Sequence, residues 1–231
     1  GASVTVLSES FDDTTAEVLR VLGVRMLSAP RADGPPPEVD TFDPELVVVS
    51  PGFAPTHPFV SWATDRRWPV WGEIELAWRL RDKVRSETTG SPAEWITVTG
   101  TNGKSTTVQL TEAMLRAAGV RAIACGNVGV PVLDAVRDPE GFDVLVVELS
   151  SFQLHYTRSV SPWASVCLNV ADDHLDWHGS REAYRAAKAR VYENTRIACV
   201  YNVDDTATRD MVEDADVIEG ARAIGFGLGA P

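Results

Sequence analysis

Trp95-Ile-Thr-Val-Thr-Gly-Thr-Asn-Gly-Lys-Ser-Thr-Thr107 is the stretch on which the fold turns. Residues 95–99 have strand character, and residues 106–118 carry apolar side chains at helical spacing. Between them lie Gly100, Thr101, Asn102, Gly103, Lys104, Ser105 and Thr106. A strand that passes through two glycines into a helix N-terminus makes a phosphate cradle, because backbone N–H groups and the helix dipole both face the anion. In such a loop Lys104 reaches the β- and γ-phosphates and the Ser105 hydroxyl holds Mg²⁺. The spacing is the short form G-x-x-G-K-S; the first glycine of the eight-residue P-loop would fall at Val98. The competing reading is a glycine turn with an exposed lysine. The flanking strand and helix weigh against it. So does lysine scarcity: Lys83, Lys104 and Lys188 are the only lysines among 21 basic residues.

The 231 residues are enough for one large or two ordinary domains. A net charge of −12 argues against a nucleic-acid partner, which needs a basic face. A bound nucleotide remains compatible, held by one lysine, a metal and backbone amides. Cys125, Cys167 and Cys199 are odd in number and widely spaced in apolar runs. They read as buried thiols in a reducing compartment rather than a disulfide frame or zinc site. No apolar run approaches a membrane span and no signal peptide is evident, so a cytoplasmic location without membrane partners is expected.

Outward from the loop, strands and helices alternate, which predicts a doubly wound α/β fold. Strands are expected over 3–7, 24–27, 46–49, 69–71, 121–125, 143–147, 164–168, 197–201 and 223–226. Helices are expected over 14–22, 57–65, 73–85, 131–136, 182–192 and 205–212. The β-branched run at 46–49 predicts a strand buried on both faces. Residues 30–44 read as a Pro/Gly/Asp loop. Residues 86–93, with Ser, Thr, Gly and Pro and no apolar period, read as a linker that divides domains at 1–87 and 88–231.

Polar clusters follow several of these strands, and in a parallel sheet such strand ends share one edge. Glu148 follows a buried-type strand and reads as a metal-holding carboxylate, or else as a helix cap. His174, in Asp172-Asp-His-Leu-Asp176, reads equally as a metal-ligating imidazole or a surface histidine. Asn127 sits in a glycine turn, either presenting its amide to a substrate or serving turn chemistry alone. Lys188 lies at i+4 from Tyr184 and i−4 from Tyr192 on one helical stripe, where a lysine ordinarily snorkels to solvent.

Five motifs in order carry a family resemblance: Thr99-Gly-Thr-Asn-Gly-Lys-Ser-Thr106, Gly126-Asn-Val-Gly-Val-Pro131, Glu148-Leu-Ser-Ser-Phe-Gln-Leu154, Asp172-Asp-His-Leu-Asp176 and Tyr184-Arg-Ala-Ala-Lys-Ala-Arg-Val-Tyr-Glu-Asn194. Together they resemble the Mur ligases of peptidoglycan synthesis. The Ser-Ser-Phe-Gln segment, Ser50-Pro-Gly-Phe-Ala-Pro-Thr-His-Pro58 and Trp71-Gly-Glu-Ile-Glu-Leu76 look like the member that adds D-glutamate. The resemblance implies a Rossmann-like domain that binds the UDP substrate, then a P-loop central ATPase domain. It implies that ATP activates the carboxylate of UDP-N-acetylmuramoyl-L-alanine as an acyl phosphate, which the amine of D-glutamate attacks, in a protein expected to be a monomer. It assigns catalytic roles to Lys104, Asn127, His174 and Lys188. Ser105 and Glu148 would hold one Mg²⁺, with His174 beside a second and Lys188, carbamylated by CO₂, facing the metal. Asn127, Ser150 and His174 would touch the substrate, and Ser50, Pro51 and Gly52 would lie near its uracil.

Against the family pattern, the first strand with its glycine-rich turn and the C-terminal ligase domain are expected to be missing, with the ATPase domain truncated. Little ligase activity is then expected of this chain alone. Ser8-Glu-Ser10 stands where the family often shows Asp-Thr-Arg, so a basic contact to the nucleotide sugar is missing too. The competing functions are a sister ligase, including a folylpolyglutamate synthase-like enzyme, and a non-catalytic nucleotide-binding remnant.

Overall fold

The computed structural model describes residues 2–30, 35, 38–39 and 43–229. Most of the loop expected over 30–44 lies outside them. The chain forms two compact units. One comprises Gly1–Val49 and Phe53–Val70, the other Ser50–Gly52 and Trp71–Pro231.

The first unit opens with β1 (Thr5–Ser8), α1 (Asp13–Val21) and β2 (Arg25–Ser28), the two strands pairing in parallel. Asp12 caps α1 by accepting the Thr15 N–H at 2.9 Å, satisfying one of the orphan donors of the first turn. β3 (Val47–Val49) leads to α2 (Pro58–Asp65), which His57 caps by accepting the Phe59 N–H through Nδ1. β4 (Val70–Gly72) pairs with β3. Val48 is 48% exposed, so β3 is not the doubly buried strand that its valines suggest. Among the described residues β3 pairs with β4 alone, and a β-branched run reports strand preference, not the number of layers covering it.

The second unit begins with α3 (Glu73–Leu80). It continues through β5 (Glu94–Thr99), α4 (Lys104–Ala117), β6 (Ala122–Gly126), α5 (Val132–Ala135), β7 (Val144–Glu148) and α6 (Ser151–His155). Then come β8 (Ala164–Cys167), α7 (Leu175–His178), α8 (Arg181–Ala189), β9 (Ala198–Asn202), α9 (Thr206–Glu213) and β10 (Arg222–Phe226). Six strands form one parallel sheet in the order β10-β9-β8-β5-β7-β6. The alternation read from sequence therefore yields the expected α/β class. β5 is central, and its Trp95 and Val98 are fully buried, Trp95 meeting Trp78 edge-on at 5.2 Å. Cys125, Cys167 and Cys199 are buried free thiols, as expected, and burial pushes Cys125 and Cys167 up to about 12. Among the described residues, no helix is long and apolar enough to cross a membrane.

Two boundaries differ from the sequence reading. The helix expected over 73–85 ends at Leu80 and tightens into a 3-10 turn, Arg81–Lys83. Residues 86–93 are not a free linker. Ser86 is buried, donates to Asp143 Oδ1 and accepts the Thr88 N–H at 3.0 Å, so the segment is pinned beside β7. Accordingly the compact units do not divide there, and α3 packs with the second unit. The anchor is Glu75, fully buried in α3. Its carboxylate accepts the N–H groups of Arg158 at 2.8 Å and Ser159 at 2.9 Å, the Ser159 hydroxyl at 2.5 Å and Arg79 Nε at 2.9 Å. Burial raises the Glu75 pKa, but these bonds together outweigh it and the net shift is downward. A lone polar residue on an apolar helix face does not announce such a network.

In a parallel sheet all C-terminal strand ends lie along one edge. Here that edge gathers Thr99, Gly126, Glu148 and Cys167.

Candidate nucleotide and metal site

Gly103 caps α4 in the left-handed region, φ 84°, which glycine adopts without strain. No side chain caps this helix, and an uncapped first turn is a place that can hold an anion. Lys104 Nζ donates to the carbonyls of Gly100 at 2.9 Å and Thr101 at 3.1 Å. An ammonium carries three donors, so one remains for a phosphate. Ser105, half-buried, is the second residue of the helix.

The loop is braced from the end of β8 by a residue to which the sequence reading gave no role. Asn169 Oδ1 accepts the Asn102 N–H at 2.9 Å, and Asn169 Nδ2 donates to the Asn102 carbonyl at 3.1 Å. Thr101 Oγ1 accepts the Ala171 N–H at 2.9 Å and lies 3.0 Å from the Tyr184 hydroxyl. The available signal was an asparagine directly after a buried strand, opening the Asp172 cluster. Asn169→Ala removes two hydrogen bonds to the Asn102 backbone, each worth about 1 kcal/mol, from an exposed site. The expected result is about tenfold weaker binding of a non-hydrolysable ATP analogue, with the unfolding midpoint little changed. Calorimetric titration beside thermal unfolding checks it; unchanged affinity would refute the bracing role.

Glu148, 1% exposed, ends β7 directly across from Val98 of β5. Its Oε1 accepts Asn127 Nδ2 at 3.0 Å, while Oε2 is buried without a hydrogen-bond partner. The helix-cap reading of Glu148 fails, because Ser150 caps α6. Ser150 accepts the Gln153 N–H, and Gln153 answers on the Ser150 N–H at 2.9 Å, a capping box. Ser150 thus holds a structural role here, whatever it touches besides. Gly126, φ 108°, lets β6 approach β7 so closely that an added Cβ would stand 2.4 Å from the Glu148 carbonyl oxygen. Gly126→Ala is expected to cost roughly 2–4 kcal/mol in chemical denaturation and to displace Glu148. A loss below about 0.5 kcal/mol would contradict the close approach.

Lys188 does not snorkel. It is 2% exposed, with Nζ donating to the Gly100 carbonyl at 2.9 Å and 3.5 Å from Thr99 Oγ1, and it lies 5.0 Å from the Tyr184 ring centre. Both lysines therefore share the Gly100 carbonyl. Burial first, then the Lys104 charge, pull the Lys188 pKa from 10.5 down to about 8. Tyr184 and Tyr192 are buried on the expected stripe, though α8 ends at Ala189 and Arg190–Tyr192 is a 3-10 turn. Tyr192 turns into the core, donating to the Val200 carbonyl at 2.8 Å.

His174 is exposed, in the left-handed region at φ 51°, 3.4 Å from Asp173 and against the rings of Phe152 and Tyr184. Its neighbour His178 bonds Ser151 Oγ at 2.9 Å. Burial, then the charges of His155, His174 and Lys188, lower His178 to about 4, so it is neutral near pH 7. Trp177 Nε1 donates to the Gly52 carbonyl at 3.3 Å, which ties Gly52, the residue after Ser50 and Pro51, to α7. Among the described residues, no three His, Cys, Asp or Glu side chains converge as a metal cluster. The sheet edge thus unites Lys104 with Lys188, and Glu148 with Asn127. His174 joins them only through Tyr184.

A phosphate loop at the centre of a parallel sheet, with an acidic residue ending the neighbouring strand, defines a nucleotide-binding α/β domain of the P-loop ATPase type. Comparison with known proteins narrows this. Residues 98–231 match the Mur ligase middle domain, and the chain belongs to the Mur ligase family. It is 60% identical over 237 residues to a UDP-N-acetylmuramoylalanine--D-glutamate ligase of Leifsonia xyli subsp. xyli, covering 100% of this chain and 46% of that protein. A protein of the same name from Streptomyces coelicolor is 50% identical over 234 residues, covering 100% and 48%. The chain thus spans about half the length of the curated relatives it matches. Among solved structures, it is similar to a UDP-N-acetylmuramoyl-L-alanyl-D-glutamate--2,6-diaminopimelate ligase, with TM-score 0.55, 21% identity, and coverage of 80% and 46%. It is also similar to a UDP-N-acetylmuramate:L-alanyl-gamma-D-glutamyl-meso-diaminopimelate ligase from Neisseria meningitides, with TM-score 0.53, 17% identity, and coverage of 96% and 69%. At these identities the structural likeness speaks for the fold alone.

Proposed function

We propose that this chain carries the ATP-handling part of a cytoplasmic amide ligase. The ligase adds D-glutamate to UDP-N-acetylmuramoyl-L-alanine in peptidoglycan precursor synthesis. The observation that carries the reading is the pair of half-used groups at one sheet edge. Lys104 has a donor to spare, and Glu148 keeps one buried oxygen unpaired. An unpartnered buried carboxylate oxygen is costly unless a cation or donor meets it, and hard oxygen ligands suit Mg²⁺. Ser105 and Glu148 would hold that ion, with His174 and Lys188 toward a second. Mg²⁺ supplies neutralisation of charge on the transferring phosphoryl group.

The chain's own residues supply the rest. The loop amides and Lys104 bind and align the triphosphate, so that the substrate carboxylate attacks the γ-phosphorus and leaves ADP and an acyl phosphate. The amine of D-glutamate then attacks the acyl carbon, and phosphate departs as the amide forms. Asn127 and His174 would orient the reacting carboxylate, and Ser50, Pro51 and Gly52 would lie near the uracil. Lys188 fits a carbamate. Only the neutral amine reacts with CO₂, and a pKa of about 8 leaves roughly one molecule in five neutral at pH 7.4, against about one in a thousand for an ordinary lysine. The carbamate would replace a buried cation by an anion next to Lys104.

The two curated relatives, both named for D-glutamate, favour this amino acid over those of sister ligases. The test is incorporation of radiolabelled amino acids from a panel into UDP-N-acetylmuramoyl-L-alanine. The enzyme is the chain with whatever flanking sequence its gene encodes. ATP-dependent incorporation of D-glutamate alone is expected. Preference for another amino acid, or ATP binding without ligation, would defeat the reading.

A further inference from the structure

Glu148 is held at both ends of its residue by Asn127. The Asn127 N–H donates to the Glu148 carbonyl at 2.9 Å, and the Asn127 side-chain amide donates to Oε1 at 3.0 Å. The turn that brings Asn127 there depends on Gly126, where no side chain fits against the Glu148 backbone. The Asn127 amide turns its nitrogen to Glu148 and its oxygen away. One lone pair of Oε1 is thereby engaged, while Oε2, buried and unpartnered, keeps both of its own open.

We infer that Asn127 is a positioning residue for the metal-holding carboxylate. It fixes the Glu148 rotamer by holding Oε1, so that Oε2 is the oxygen offered to the ion. This goes beyond a contact between Asn127 and substrate, and it rests on the reading of Glu148 as a metal ligand. Outer groups that hydrogen-bond a ligating carboxylate typically change metal affinity by about 10–100-fold when removed.

The experiment titrates Mn²⁺, followed by electron paramagnetic resonance, into the chain saturated with a non-hydrolysable ATP analogue. Parent, Asn127→Leu, Asn127→Gln and Glu148→Gln are compared, with thermal unfolding and metal-free analogue binding measured alongside. Asn127→Leu is expected to weaken Mn²⁺ about tenfold or more while leaving metal-free analogue affinity unchanged. Asn127→Gln, which keeps an amide donor on a longer stem at an exposed position, is expected to restore most of the loss. A general packing defect would move the unfolding midpoint and would not be rescued. If Glu148→Gln weakens Mn²⁺ but Asn127→Leu does not, the positioning role is overturned and the metal reading stands. If Glu148→Gln leaves Mn²⁺ binding intact, the metal reading falls and takes the inference with it. Should Asn127→Leu fail to fold, Asn127→Gln decides: near-parent Mn²⁺ affinity supports the role, and a loss equal to that of Glu148→Gln overturns it.

Discussion

Replacing Lys104 with methionine is expected to lower ATP-dependent turnover on the order of a thousandfold, without unfolding the protein. Lys104 does two things at once. It staples the Gly100 and Thr101 carbonyls over the helix N-terminus, and in the proposed function its remaining donor and its charge would face the phosphates. Phosphoryl transfer leaves little covalent work to the protein, so loss of one well-placed cation falls directly on the barrier. The loop keeps its shape through Asn169 and Thr101, which grip it independently of Lys104. A phosphate-release assay with the flanking sequence in place, run beside thermal unfolding, checks both halves. Turnover within tenfold of the parent would show that Lys104 does not face the reacting phosphate. The substitution has a second expected effect. The Lys104 charge helps depress Lys188, so removing it moves the Lys188 pKa back up, toward 10.5. Less neutral amine then means a weaker carbamate signal by ¹³C NMR in labelled bicarbonate.

Lys188→Met is expected to stabilise the fold near pH 7 while turnover falls on the order of a thousandfold. Among the described residues, Lys188 Nζ donates to a carbonyl and a hydroxyl and faces the Tyr184 ring, all neutral, so its buried charge has no carboxylate in an ion pair with it. Its folded pKa, about 8, lies below the ordinary 10.5. The unfolded chain therefore binds the proton more tightly. Below about pH 8 the folded state carries the whole penalty, roughly 3 kcal/mol; between about pH 8 and 10.5 the penalty disappears as the folded amine gives up its proton. Urea denaturation in CO₂-free buffer should show the variant ahead of the parent at about pH 7 and the difference shrinking by about pH 9.5. A variant that is less stable at about pH 7, or a difference that does not change with pH, would contradict the buried-charge account. Bicarbonate should narrow the same gap, because a carbamate replaces the repelled cation by an anion facing Lys104.

The placement of these groups was partly legible in advance. Helical spacing put Tyr184, Lys188 and Tyr192 on one stripe, but spacing does not report depth. Whether a lysine snorkels or stays inside depends on what packs over it, here the start of the phosphate loop. At Glu148 the structure removes the cap reading alone, and at Asn127 it shows a partner that turn chemistry does not predict. The candidate cap had a better capper in Ser150, and the turn asparagine had a carboxylate to meet. Asn169 and Trp177 were missed because their partners, Asn102 and Gly52, lie 67 and 125 residues away. Residues 86–93 look like a linker because Ser86 is polar, and its bonds to Asp143 and Thr88 exist only in the fold. Conversely, the short G-x-x-G-K-S loop was correctly placed, since strand, glycine turn and helix start are properties of neighbouring residues.

Local sequence was sufficient for the α/β alternation, the phosphate loop at the head of α4 and the buried state of the three thiols. Those features depend on periodicity, glycine geometry and apolar content within about fifteen residues. Tertiary structure alone decided that two lysines 84 positions apart in numbering share the Gly100 carbonyl, and that Glu148 keeps one oxygen bare. The depressed lysine and the bare carboxylate oxygen arise from burial and from neighbours that only the folded sheet brings together. A sequence lists those neighbours without saying which will meet.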